Sequence, residues 1–459
     1  MTKVKLKIFN TLTRQKEEVK PLEDNLVRIY SCGLTVYDYA HIGNLRKYIF
    51  DDLLRRTLLY FGYRVKQVMN ITDVGHLTSD EDEGEDKIEV GARREKRSAW
   101  EIAKFYEKVF ISDLKKLNIL LPDEMPRATE NIKEQIELIK ILEEKGFTYK
   151  TSDGIYFDTS KLKDYGKLAR LDLGGLKEGC RIEKNPEKKN LSDFALWKFS
   201  KKIGERQMEW PSPWGVGFPG WHLECSAMSV KFLGQPFEIH TGGVDHIAVH
   251  HTNEIAQSEA AEGKPLAKYW VHCEHLLENG HKMSKSAGHF IRLQDLEEKG
   301  FSPLDFRFLC LQAHYRSKLN FSWQALEGAR EARRKINNVY NSAGKSGDIS
   351  LKNFDKFLSD DLDTPKALAF IFENLASFGR EEFEKIDSVL GILEKFKVKK
   401  ADGLILVGEI SKEVVDLAKE RNLARLNKDF AKSDALRKKI EGLGFVVEDS
   451  KEGTKISPK

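Results

Sequence analysis

The stretch NLVRIYSCGLTVYDYAHIGNLRKYIFDDLLRRTLLYFGYRVKQVMNITDVG, residues 25–75, constrains the fold more than any other part of the chain. Val27 to Ser31 is an apolar run of strand length, and Leu45 to Phe61 carries apolar residues near a period of 3.6. Gly62 supplies a helix stop, and Arg64 to Ile71 reads as a second strand. Strand, helix and strand in that order make a βαβ unit, the building block of an open α/β sheet. A short turn with His41 and Gly43 sits between the first strand and the helix, where such sheets bind ligands. The start of the helix also offers N–H groups to an anion.

Length and composition set the frame around this unit. At roughly 150 residues per domain, 459 residues predict about three domains. A chain with 40% hydrophobic and 32% charged residues, 12 Pro and 33 Gly is globular, neither disordered nor collagen-like. The balance of 76 Lys+Arg against 72 Asp+Glu, a formal +4, is too even to point to a nucleic-acid or membrane partner. Five widely spaced cysteines, an odd number, argue against a secreted disulfide framework and for a reducing compartment. The N-terminus has no apolar signal core, and no run approaches the ~18 apolar residues of a spanning helix. A cytoplasmic protein that does not engage a membrane is expected.

Further along, residues 96–145 read as mainly helical, and about 147–200 turn short, polar and β-like, with YKTSDGIYFDTS as a hairpin. This segment looks like an insertion between two halves of a sheet. A second β-turn-α element follows: a helix through Cys225, a strand from Phe237 to His240, a Gly-rich turn at Thr241 to Gly243, and a helix from about His246. Helices dominate from Pro303 onward, and a helix-like stretch from Asn422 to Leu443 precedes two short strands, GFVVED and GTKI.

Two apparent motifs carry no chemistry, and a third is absent. The acidic run SDEDEGED (79–86) has Gly84 and Gly91 at the wrong positions for an EF-hand, so a solvated loop is expected. Gly215, Gly217 and Gly220 spell GxGxxG, but Pro211, Pro213 and Pro219 surround them and no strand precedes them, which predicts a Pro-rich loop. No GxxxxGK[ST] is present, so any ATP site is not a P-loop.

His250 and Glu254 stand at i and i+4, on one helix face, a geometry that suits two ligands of one metal. Cys225 and Cys32 would complete a set of two thiolates, an imidazole and a carboxylate, all acceptable to Zn2+. The spacing is not that of a zinc finger, and by itself it favours the plainer alternative of surface His and Glu with buried Cys. HIGN (41–44) and KMSKS (282–286) alter that balance together. Gly43 leaves room for a nucleotide at the backbone, and His41 can donate to phosphate oxygens. Lys282 and Lys285, three apart in a Ser-containing loop, can neutralise charge that shifts as pyrophosphate leaves.

With these motifs the sequence resembles the class I aminoacyl-tRNA synthetases and, within them, the cysteinyl-tRNA synthetase family. CGLTVYDYAHIGN, MNITD, GWHLECSAMS, IHTGGVD, HHTNEIAQSEA, KMSKS, SDDLDTPKAL and KDFAKSDALRKKIEGLGFVVEDSKEGTKI carry the resemblance over nearly the whole chain. It implies an α/β protein whose Rossmann-type parallel-sheet catalytic domain (1–130 and 211–275) is split by a connective insertion (131–210). A KMSKS and stem-contact region (276–330), an α-helical bundle (331–421) and a small α+β anticodon-recognition domain (422–459) would follow.

The resemblance further implies a ligase that activates L-cysteine with ATP to cysteinyl-adenylate and passes it to the terminal adenosine of tRNA(Cys). It implies one zinc on Cys32, Cys225, His250 and Glu254, taking the substrate thiol as thiolate, and Mg2+ with ATP. His41, Asn44, Lys282 and Lys285 would be catalytic; His41, Gly43, Asn44, Gly242, Asp245 and Lys285 would bind ATP. Thr72, Trp221 and His240 would contact the amino acid, and the chain would act as a monomer. Apolar fit separates side chains by only about 1–3 kcal/mol per methylene, whereas a soft thiolate on zinc excludes serine without an editing domain. Asn44 departs from the family's usual His, Thr252 replaces an acidic residue, and VGHLTSDEDEGEDKI after MNITD leaves His76 without a role. A cysteine ligase acting on a small amine would lack the tail after Gln324, and a non-catalytic tRNA-binding paralogue would not need KMSKS intact.

Overall fold

The structure, a computed structural model, describes residues 4–75, 86–171, 186–204, 206–278, 280–282, 290–394, 398–407, 410–450 and 453–458. The chain forms two compact units, Met1–Ile392 and Leu393–Lys459. The acidic run through residue 85, His76 and residues 283–289, including Lys285, lie outside the described residues.

At the centre of the first unit, four strands run parallel: β1 (Leu26–Ser31), β2 (Arg64–Met69), β3 (Phe237–Gly243) and β4 (Ala267–Cys273), in the order β4-β3-β1-β2. β3 and β4 are almost continuously buried, as parallel strands covered on both faces must be. Helix α1 (Ile42–Tyr60) connects β1 to β2, and α2 (Ile132–Glu144) follows. Helix α3 (Trp221–Leu233) leads into β3, and α4 (His250–Glu262) connects β3 to β4.

Two boundaries differ from the sequence expectation. α1 begins at Ile42, not Leu45, because the His41 and Asn44 side chains cap its first turn. β3 continues through the Gly-rich stretch to Gly243, held by the β4 pairs His272–Gly242 and Cys273–Gly243, so the turn falls at Val244–His246 and α4 starts at His250.

The inserted segment builds an antiparallel sheet from 148–150, 154–157 and 194–199, and 217–219, expected within the second half of the catalytic domain, joins it as the fourth strand. The GxGxxG stretch is part of it: a Cβ on Gly217 or Gly220 would stand 2.0 Å from the carbonyl oxygen of Lys198 or Ala195. These glycines therefore serve close strand packing. The hairpin expected in YKTSDGIYFDTS is present as the pairing of Thr148–Lys150 with Gly154–Phe157.

In the second unit, a four-stranded sheet of 398–401, 404–407, 453–458 and 445–450 packs against helices Lys412–Leu426 and Phe430–Gly442. The single helix expected over 422–443 is broken at Lys428, whose φ is 60°, and Asp429 caps the second helix at Lys432 N–H, 3.0 Å away. The sheet draws 398–407 into the same body as 445–458. Among the described residues no helix is long and apolar enough to cross a membrane.

One buried ion cluster ties α1 to the helices after residue 303. Asp52 accepts from Arg56 at 2.7 Å and pairs with fully buried Arg307 at 2.6 Å, and Arg307 also donates to the Leu390 and Leu117 carbonyls. Removing one partner of such a group strands the other charge out of water. Asp52→Ala is therefore expected to destabilise the chain by about 3–5 kcal/mol in urea unfolding; a loss below about 1 kcal/mol would mean that Arg307 finds water in its place.

Candidate active site and metal centre

The carboxyl ends of β1 and β3 open onto a cavity of about 430 Å³ lined by both halves of the sheet. At one end stands the first turn of α1. The His41 ring accepts from Asn44 N–H on Nδ1 at 3.1 Å, and the Asn44 carboxamide oxygen accepts from His41 N–H at 3.2 Å. This reciprocal pair is a capping box built from His and Asn. Asn44 thus supplies the acceptor that the His41 N–H needs. With Nδ1 accepting, the neutral ring carries its proton on Nε2. No acidic residue sits in that turn, so the positive end of the helix is left uncompensated beside the cavity. A Cβ on Gly43 would stand 2.8 Å from the His41 ring, so glycine leaves space for that side chain as well as for a ligand.

At the other end, Cys32, Cys225, His250 and Glu254 place their ligand atoms within 4.8 Å of one another, and none of the four residues is more than 3% exposed. Cys32 lies just past β1, where its N–H still donates to Thr241 on β3, and Cys225 lies on α3. His250 and Glu254 share a face of α4, with His250 Nε2 3.1 Å from Glu254 Oε1. Burial pushes the Cys32 thiol up, but Cys225 and the imidazoles of His251, His246 and His250 outweigh it and hold the thiol well below its usual range. Burial, with Cys32 and Glu254 as neighbours, pushes Cys225 up. Burial lowers His250, yet Glu254 and Cys32 raise it to about 10. Two soft thiols, an imidazole and a carboxylate converging among buried side chains fit a divalent ion of zinc's preferences.

Histidines that spacing did not single out order this cluster. His222 Nδ1 meets His250 Nδ1 at 2.9 Å, leaving His250 Nε2 toward Glu254. His251 Nε2 lies 3.2 Å from Cys32 Sγ, while its Nδ1 meets His272, which in turn meets Thr11 Oγ1 at 2.7 Å. His240 and His251 form an overlapping set with the same Cys32 and Glu254, but neither lines the cavity, whereas Cys225 and His250 do. His240, expected from the sequence among the amino-acid contacts, stands behind Glu254 at 2.9 Å and stacks on Trp270.

Trp221 lines the cavity with its ring centroid 4.4 Å from that of His250, and Thr72 lines it beside Asn70, from which it accepts at 2.9 Å. Asp245, in the turn after β3, lines it from the other side. Gly242, expected to leave the backbone open to adenosine, does not line it: a Cβ there would strike His251 at 2.4 Å and His246 at 2.7 Å, so histidine packing demands the glycine. Lys282 ends the short strand His281–Lys282, paired with Leu276–Glu278. Lys47 also lines the cavity and donates to the Cys32 carbonyl at 2.6 Å. The signal for it was a Lys47–Asp51 pair at i and i+4 on the inward face of α1.

A family model described as the class I (C) tRNA synthetase catalytic domain matches residues 18–331, and with the split parallel sheet it defines a class I aminoacyl-tRNA synthetase. The methionyl-tRNA synthetase of Mycobacterium tuberculosis in complex with methionyl-adenylate shares the fold with a TM-score of 0.53 at 14% identity, over 80% of this chain and 82% of that one. Among curated relatives, cysteine–tRNA ligase 1 of Burkholderia lata is 48% identical over 98% of this chain and 96% of its own. The cysteine–tRNA ligase of Treponema denticola is 46% identical over 97% and 98%. The chain belongs to the cysteine–tRNA ligase family.

Asn44→Ala removes one half of the capping box and is expected to lower stability by about 1 kcal/mol, seen as a lowered denaturation midpoint. Asn44→Asp keeps the acceptor and should retain most of it; equal losses in both would remove the cap from the account.

Proposed function

We propose that the chain activates L-cysteine with ATP to cysteinyl-adenylate and then esterifies the terminal adenosine of tRNA(Cys). The convergence of Cys32, Cys225, His250 and Glu254 at one end of the cavity whose other end is the His41-capped helix carries this reading. Zinc held by those four residues would supply a soft Lewis acid that binds the substrate sulfur as thiolate and discriminates against serine. Trp221 walls the side-chain pocket and Thr72 offers its hydroxyl to the amino-acid end. Asp245 accepts from the ribose hydroxyls.

In the first step the cysteine carboxylate attacks the α-phosphorus and pyrophosphate leaves. The α1 N-terminus and His41 Nε2–H face the charge gathering on the phosphate, and Lys282 and Lys285 follow the departing pyrophosphate, with Mg2+ accompanying ATP. In the second step the adenosine hydroxyl displaces AMP from the carbonyl carbon. Catalysis is positioning and electrostatics. The segment 422–459, which lies within the unit Leu393–Lys459, recognises the anticodon, and the chain works in the cytoplasm as a monomer.

Cysteine-dependent ATP–pyrophosphate exchange followed by charging of tRNA(Cys) tests the whole reading: exchange without charging would assign a small-amine ligase instead. Cys225→Ser should lower cysteine activation roughly 100-fold or more while ATP binding is retained; equal loss of both would argue against thiol coordination. Zinc affinity should also rise with pH. His250 keeps its proton up to about pH 10 in the metal-free site, and a ligand must give that proton up. Affinity is thus expected to gain about tenfold per pH unit for each proton displaced, measured by chelator competition across neutral pH. A flat profile would remove His250 from the ligand set.

A further inference from the structure

We infer that Lys47 is a positioning residue, one that locks the metal end of the cavity to the helix that faces the nucleotide. The parallel pairing of β1 with β3 ends at Ser31–Thr241, so the carbonyl of the next residue, Cys32, has left the ladder inside the core. A buried carbonyl needs a donor. Lys47 Nζ supplies it at 2.6 Å and is itself paired with Asp51 at 2.7 Å, both side chains being at most 10% exposed. One carbonyl could be satisfied by a water or a neutral donor, whereas a buried ammonium also needs a buried carboxylate. That pair is an expensive clamp for a single hydrogen bond, and its placement gives the reason. Lys47 lies on α1 less than one turn beyond Asn44, so the clamp fixes Cys32 relative to the capped turn.

The neighbouring residue braces the opposite wall. The Arg46 guanidinium donates to the carbonyls of His275, His314 and Ser317, beyond the end of β4. Consecutive side chains of one helix thus hold the thiol end and the far wall of the same cavity. Resting on the function proposed above, this sets the separation between the substrate sulfur at Cys32 and the α-phosphate at His41, on which in-line attack by the carboxylate depends.

The test uses the full-length zinc-loaded chain and three variants: Lys47→Met, Lys47→Arg, and Lys47→Met with Asp51→Leu, which removes both charges and leaves neither buried alone. The double variant is expected to release zinc to a chromophoric chelator about tenfold faster and to lower kcat for exchange about tenfold. The KM for ATP should not move, and Lys47→Arg, which keeps a charged donor, should recover most of both losses. Zinc release and kcat at the parent values in the double variant would overturn the inference, because Lys47 would then serve only to neutralise Asp51. A parent chain with no cysteine-dependent exchange would overturn the functional reading instead, and the zinc-release rates would still decide whether Lys47 anchors Cys32.

Discussion

Three parallel pairs, Ile29–Ile239, Tyr30–His240 and Ser31–Thr241, join segments more than two hundred residues apart, and the site depends on them. They bring the end of β1, where Cys32 emerges, level with the Gly-rich end of β3, from which the Val244–His246 turn emerges. α3 and α4 pack on the same strands and contribute the remaining donors. Because side chains alternate along a strand, a slip of one residue would turn His240 away from Glu254 and bring its neighbour inward. The register is protected by burial: β3 has no exposed residue and only Gly243 is partly open. The intervening insertion stacks Phe147, Phe157 and Phe194 in series and shares its core with Leu223 of α3 and Ala256, Ala260 and Ala261 of α4, so it packs directly on the helices that stand over those strands.

Burying so many polar groups under one cavity is costly unless each is oriented. The structure solves this in series. Thr11 meets His272, His272 meets His251, and His251 meets the Cys32 sulfur, while His222 fixes His250 and His240 fixes Glu254. Three of the four candidate ligands, Cys32, His250 and Glu254, are thereby each aimed by a second side chain, which is the usual way a protein sets imidazole tautomer and ligand direction. The glycines belong to the same solution. Gly242 is where His251 and His246 need room, and Gly43 is where the His41 ring folds back.

The strands and the two β-turn-α elements were legible because apolar runs and periodicity report burial directly: β1, β2 and α1 lie within a few residues of where the pattern places them. The convergence of Cys32, Cys225, His250 and Glu254 was foreshadowed by residue types at helical spacing, strengthened by the motif pair. What the pattern could not yield was polar residues used inside. Lys47, Asp51, His222 and His272 are each buried, yet in a linear sequence a lysine or histidine among apolar neighbours has the signature of a solvated face. Apolar periodicity places the start of α1 too late for a related reason: His41 is not among the preferred N-caps, and its ring reaches Asn44 because glycine at 43 leaves it space. Strand β3 runs past its expected end at His240 because glycine signals a turn unless a neighbouring strand, here β4, supplies the pairing.

The even charge balance also acquires a structural meaning. Within the described residues six lysines and arginines are buried beside thirteen buried carboxylates, so burial withdraws more acidic than basic groups from the surface and the net +4 understates its basic character. Arg46, Lys47, Arg56, Arg307, Arg333 and Arg421 are all buried, and each is bound to a carbonyl or a carboxylate of the fold. Cations spent on clamping helices cannot contribute to a field at the surface, because a paired buried charge is neutralised where it stands. The charge available to attract a polyanion is therefore decided by which carboxylates remain exposed and where. For a protein of this family, affinity for its nucleic acid must then come from local arrangement of the remaining lysines and arginines, each phosphate contact releasing counterions, with little help from the overall sum.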